Sequence, residues 1–164
     1  MTKVIYLIGQ ISAEAPESYE WRKRVREYFT FTPEELIYRP ISVGIIDPCH
    51  NAFNKSVKTK VTTREEVYET KGVDLIVPKD RMAVKRSSIC FANFHRYDKS
   101  KALIGTMFEL AWYADSPAKA VIGIFDGDHK DDEYCRHPFV RNCVHTWVKT
   151  EIEACEIVER YFTD

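Results

Sequence analysis

A glutamate one turn inside an apolar helix is the residue whose setting most needs explaining. Gly105-Thr106-Met107-Phe108-Glu109-Leu110-Ala111-Trp112 runs from a loop into a helix, and Glu109 sits among Phe108, Leu110 and Trp112. Burying an ionised carboxylate without a partner is costly, so the ordinary place for such a residue is a solvated helix face. A carboxylate held beside apolar surface is instead suited to act as a nucleophile or as an acid–base group. Two other clusters compete with it. Asp47-Pro48-Cys49-His50-Asn51 puts a thiol beside an imidazole, but neighbours in a loop rarely face each other and no third group is spaced to orient them. Cys135-x-His137 and Cys143-x-His145 follow Asp126, Asp128, His129, Asp131 and Asp132, which makes a zinc-binding protein an alternative reading. Structural zinc more often uses Cys-x-x-Cys, or His pairs about three to five residues apart. A Cys-x-His step points both side chains the same way only on an extended strand. The plainer expectation is no metal, with Cys143 packed and His137 and His145 exposed or hydrogen-bonded.

The elements that would position Glu109 can be read from hydrophobic runs. Lys3–Ile8 is a short apolar run closed by Gly9, and residues 16–29 carry aromatic and apolar residues among charges at helical spacing. Val43–Ile46 is stopped by Asp47-Pro48. A polar stretch from Cys49 to Thr63 reads as a loop or flap, and Thr63, with Glu65 and Glu66 behind it, as the cap of a short helix. A second short helix is expected at residues 79–87, a strand at 88–94, a helix at 105–114, a strand at 120–125, a short strand at 144–148 and a last helix at 150–162. Strands alternating with helices imply an α/β, Rossmann-like (flavodoxin-like) three-layer domain with a mainly parallel sheet of about five strands, spanning residues 1–164 as one unit. Such sheets bind ligands at the carboxyl ends of their strands. That edge collects Gly9, Gln10, Asp47, Asn93 and the residues on to Ser100, with Asn51 as a further possible contact.

With these positions in hand, the chain resembles the nucleoside 2-deoxyribosyltransferases and the related 2′-deoxynucleoside 5′-monophosphate N-glycosidases. Gly105, Thr106, Glu109 and Leu110 are similar to a Gly-Thr-x-x-Glu-Leu motif at a helix start. Tyr6-Leu7-Ile8-Gly9 is similar to the family's opening Tyr-x-x-Gly, and Asp80-Arg81-Met82-Ala83-Val84 to its aspartate segment before the central strand. The resemblance spans roughly residues 3–125 and rests on the joint order of these motifs. It implies that Glu109 attacks the sugar C1′, that the Tyr6 hydroxyl orients it, and that Asp80 hydrogen-bonds the nucleobase. Gly9, Gln10, Gly105 and Thr106 would then line the substrate pocket. Two family acids are absent: Ser88 stands where an acidic residue opens the strand, and Leu103 stands six residues before Glu109 in place of an aspartate near the sugar 5′ end.

The chemistry suits these residue types. Cleaving an N-glycosidic bond passes through an oxocarbenium-like transition state that a carboxylate can stabilise and trap, while the departing base needs a proton or hydrogen bond. Tyr6 would fix the rotamer of Glu109, and Gly9 would let the sugar or phosphate approach the backbone. Leu103 removes a charge that would repel a 5′-phosphate, and Lys99, Ser100 and Lys101 lie just before it. The glycosyl group would pass to a second nucleobase or to water. No cofactor is required. The family resemblance also implies at least a homodimer. The rival reading is a non-catalytic nucleotide-binding module on the same fold.

Composition sets the outer limits. The chain has 164 residues, 45% hydrophobic and 13% aromatic, in the range of one globular domain. A formal net charge of −1 gives no field to hold a nucleic acid polymer, so a small-molecule deoxynucleoside or deoxynucleotide is the better partner. No apolar run approaches membrane-span length. Five scattered cysteines and a strand-like start with no signal-peptide pattern lead to the expectation of reduced thiols and a cytoplasmic location.

Overall fold

The computed structural model describes residues 3–12, 14–30, 43–49, 73–116 and 118–162. Along the chain lie β1 (Lys3–Gly9), α1 (Glu17–Tyr28), β2 (Val43–Ile46), α2 (Val73–Arg86), β3 (Ile89–Asn93), α3 (Ile104–Ala114), β4 (Ala120–Ile124), α4 (Pro138–Cys143), β5 (Thr146–Val148) and α5 (Glu151–Tyr161). The strands form a five-stranded sheet in the order β2-β1-β3-β4-β5, with every pairing parallel. This is the flavodoxin-like, doubly wound order. The expected flap beyond Cys49, including His50 and Asn51, and the helix expected at Thr63 lie outside the described residues.

Alternation along each strand sorts the side chains into two cores. Ile5 and Leu7 of β1, Ile89 and Phe91 of β3, and Ile122 and Ile124 of β4 pack with Trp21 and Val25 of α1 and Ala154, Cys155 and Val158 of α5. Tyr6 and Ile8, Cys90 and Ala92, and Val121 face the other way, against Ala83 and Val84 of α2, Leu110 and Tyr113 of α3 and Val140 of α4. Burial on both faces is why these strands read as continuous apolar runs. It also decides that Tyr6 points toward α2 and α3, the side that carries Asp80 and Glu109.

Helix boundaries follow from caps and buried faces. The buried residues Ser18, Trp21, Arg22 and Val25 of α1 recur at helical spacing, and Glu17 and Glu20 in its first turn suit the partial positive charge there. Thr150 caps α5, its hydroxyl accepting from the Glu153 N–H at 3.2 Å, while the Glu153 carboxylate accepts from the Lys149 N–H at 2.8 Å. α2 is longer than expected: it runs 14 residues and passes through Pro78. Proline normally reads as a helix start because it cannot donate to the carbonyl four residues back. Here Ile76, Asp80, Ala83 and Val84 share a buried face that carries the helix across it. α4 was not expected. Pro138 opens it, a position where proline's missing N–H costs nothing.

Candidate functional site

β1 and β3 lie side by side, but the chain between them leaves to β2 on one flank before returning to the other, so the carboxyl end of β1 is a topological switch point. A cleft of about 440 Å³ opens there. Gly9, Gln10 and Ile11 line it from the end of β1, Ile76, Val77, Asp80 and Arg81 from α2, and Gly105, Thr106, Phe108, Glu109 and Trp112 from α3, with Arg22, Pro48, Lys101, Ala102 and Leu103 completing it. Spacings of four along α2 and of three and four along α3 put these residues on the facing sides of two packed helices.

Tyr6 is fully buried, and its hydroxyl donates a hydrogen bond to Glu109 Oε1. Burial drives the phenol far above its ordinary pKa, and the nearby charges of Glu109 and Asp80 push the same way. Tyr6 therefore stays protonated and acts as a donor, while its ring stacks 6.3 Å from that of Tyr113. Glu109 is half-buried at the cleft wall. Asp80 is buried at 6% exposure, with Lys79 Nζ 3.9 Å from its Oδ1. The three residues expected to carry chemistry thus meet: Tyr6 and Glu109 through a hydrogen bond, and Asp80 in the same cleft. A carboxylate oriented by a locked phenol, with a second carboxyl beside it, can attack an electrophilic carbon and manage a proton on the leaving group.

The expected substrate-binding residues divide. Gly9, Gln10, Gly105 and Thr106 line the cleft. A Cβ on Gly9 would come within 3.1 Å of the Asn93 carbonyl oxygen and 3.2 Å of the Trp21 ring, so close packing already requires glycine there. The Gln10 amide is committed to the loop after β3: its Nε2 donates to the carbonyls of Asp98 at 2.7 Å and Lys101 at 3.0 Å, and its Oε1 accepts from the Asp98 N–H at 2.7 Å. Gln10 thereby holds the loop that delivers Lys101 to the cleft.

Asp47, Asn93 and Ser100 stand off the cleft lining. Asp47 is buried against Arg22 Nε at 3.6 Å, pairs with Arg26, and accepts from the Cys49 N–H at 2.9 Å. Asn93 accepts from the His95 N–H and donates to the Tyr97 hydroxyl. Ser100 is exposed and donates from its hydroxyl and N–H to Asp98, which holds that carboxyl below its usual range. Each serves to shape the loops around the cleft.

Arg22 was missed. It is fully buried, donating to the carbonyls of Gly9 at 2.9 Å and Gln10 at 3.3 Å and to that of Ser18, so it ties the turn after β1 to α1. The signal was present: residues 18, 22, 25 and 29 share one helical face, and only the charge of Arg22 argued against burying it. Arg81, Phe108 and Trp112 also line the cleft. Among the described residues no group of three or more His, Cys, Asp or Glu side chains is placed to hold a metal ion. Cys135 is buried, and His145 Nδ1 accepts the Val121 N–H at 3.0 Å.

No protein-family model matches the chain, nor does any curated protein. Its fold is similar to the crystal structure of a conserved protein from Enterococcus faecalis V583, with a TM-score of 0.60 and 12% identity over 98% of this chain and 99% of that one. This likeness shows the fold. No helix among the described residues is long and apolar enough to cross a membrane.

Proposed function

We propose that the protein cleaves the N-glycosidic bond of 2′-deoxyribonucleosides or their 5′-monophosphates, with Glu109 as nucleophile. The observation that carries this reading is the hydrogen bond from buried Tyr6 to Glu109 in a cleft that Asp80 shares. A Glu109 oxygen attacks C1′ as the C1′–N bond breaks, and the bond's electron pair leaves with the base, which takes a proton from the Asp80 carboxyl. Water or a second nucleobase then attacks C1′, releases Glu109, and returns a proton to Asp80. No cofactor enters either step.

A 5′-monophosphate fits one end of the cleft. Leu103, buried at 2% exposure, leaves the start of α3 without an acid, Lys101 lines the cleft beside it, and a helix N-terminus favours an anion. Assembly into a homodimer or larger ring belongs to the same reading. Exposed Ile104 and Phe108 on α3 and Phe139 on α4 would be covered in it, and a native mass measurement decides the state. A cytoplasmic setting, with salvage of nucleosides as its role, is part of this proposal.

The experiment is chromatographic detection of free base from deoxynucleosides and their 5′-monophosphates, with and without an acceptor base, for wild type and Glu109→Ala. Release lost in the variant, with its melting temperature preserved, supports the reading. A new nucleoside marks transfer, and acceptor-free release marks hydrolysis. Binding without release from any substrate would leave the non-catalytic module instead.

A further inference from the structure

We propose that Arg81 and Trp112 form the base-recognition wall of the cleft and select 6-oxopurines over pyrimidines, an inference that rests on the glycosidic reading above. The cleft has a chemical polarity along α3. Lys101, Leu103 and Gly105 stand at its N-terminal end, Glu109 stands a turn further in beside Tyr6, and Trp112 lies almost a turn beyond, about 10 Å from Gly105 by helical rise. α2 runs alongside and sets Asp80 and then Arg81 on the opposite wall. The Arg81 guanidinium lies over the Trp112 ring, 5.0 Å from its centroid. A sugar with C1′ at Glu109 and its 5′ end toward the start of α3 directs its base the other way, onto this pair.

The two guanidiniums that line the cleft differ in what they have left to offer. Arg22 is fully buried, its Nη groups donating to the carbonyls of Gly9, Gln10 and Ser18 and its Nε turned to the Asp47 carboxylate at 3.6 Å, so it is held away from a ligand. Arg81 is exposed, and no hydrogen bond among the described residues uses its N–H groups. An arginine fork matches two adjacent acceptors, and the N7 and O6 of guanine or hypoxanthine are the pair it takes most often among base edges. Trp112 supplies an aromatic face, which every base can use, so discrimination falls to Arg81.

The test is calorimetric binding of 2′-deoxyguanosine 5′-monophosphate, its 7-deaza analogue and thymidine 5′-monophosphate to the full chain, for wild type, Arg81→Met and Trp112→Leu. Free-base release is followed in parallel from the first and third nucleotides. The guanine nucleotide should bind wild type on the order of tenfold more tightly than the other two, within the range of a bidentate arginine contact. Arg81→Met should collapse that ratio, and Trp112→Leu should weaken all three. Equal binding of the three by wild type, or equal weakening of all three by Arg81→Met as a phosphate contact would give, overturns the inference. Base release without base preference removes this inference and keeps the glycosidic reading. Selective binding lost in Arg81→Met, with no release, keeps this recognition and removes the chemistry. Because the Asp80 carboxyl also reaches the base, the 7-deaza comparison in wild type tests recognition of N7, and its loss in an Arg81→Met chain whose melting temperature is preserved assigns that contact to Arg81.

Discussion

Tyr6 and Glu109 depend on each other in a way that one substitution can measure. Tyr6→Phe keeps the ring that packs on Tyr113 and removes only the donor to the carboxylate. A hydrogen bond to a charged group contributes about 1.5–3 kcal/mol, so kcat/KM should fall on the order of 10- to 150-fold while the fold survives. A variant with undiminished turnover would show that Glu109 needs no such orientation. Asp47 makes the opposite case. Its place after β2 suggests a substrate contact, yet its carboxylate faces buried Arg22, with side-chain exposures of 2% and 1%. Asp47→Ala strands that charge and should cost about 3–5 kcal/mol, read as a lower urea midpoint. An unchanged midpoint would mean the pair is not a structural anchor.

The elements hold the cleft through contacts that are far apart in sequence. On β4, a Cβ added to Gly123 would sit 2.6 Å from Trp147 Cε3 and 2.9 Å from Val144 Cγ1. Trp147 is the register partner of Gly123 on β5, and its ring lies 5.1 Å from that of Phe94 just after β3. Gly123→Ala should therefore destabilise by about 1–3 kcal/mol through overpacking, and adding Trp147→Leu should recover part of it. A fully stable single variant would show that the β4–β5 seam yields easily. α2 teaches a related point. The sequence reading starts a short helix at Lys79, but the buried face from Ile76 to Val84 carries the helix back through Pro78, and it sets Ile76 and Val77 along the cleft beside Asp80 and Arg81.

Over the fold as a whole, buried protonated groups fix how stability responds to alkali. Burial drives Tyr6, Tyr113, Cys90 and Cys155 above their ordinary pKa values, and neighbouring charges add to the effect. Each is neutral when folded and can ionise once unfolded, so the folded state holds more protons at high pH. Their stabilising contribution is complete below the unfolded values, about 8.5 for the thiols and 10 for the phenols, and is lost as pH rises above them. Each such group removes about 1.4 kcal/mol per pH unit there. Urea midpoints measured in reductant should fall from pH 8 to pH 10.5, and Tyr113→Phe should flatten the upper part of that fall. A midpoint constant across this range would mean these groups reach solvent in the folded state.

The order of the strands and of α1, α2, α3 and α5 was legible because it rests on local periodicity, whereas α4 was not. Glu109 stands out by type against apolar neighbours, while Tyr6 and Asp80 stand out only through the motifs that the family resemblance supplies. A parallel sheet could be inferred too, since strands buried on both faces lose their polar alternation. Which of the edge residues enter the cleft was not legible. Gln10, Asp47, Asn93 and Ser100 are all polar residues at or after strand ends, and only their partners, in segments up to 91 positions away, reveal that the Gln10 amide clamps a loop and that Asp47 neutralises Arg22. Arg22 itself lies on a face that periodicity marks as buried, while its charge argues for solvent. Tertiary structure settled that conflict by supplying three backbone carbonyls and a carboxylate, partners that a one-dimensional pattern cannot display.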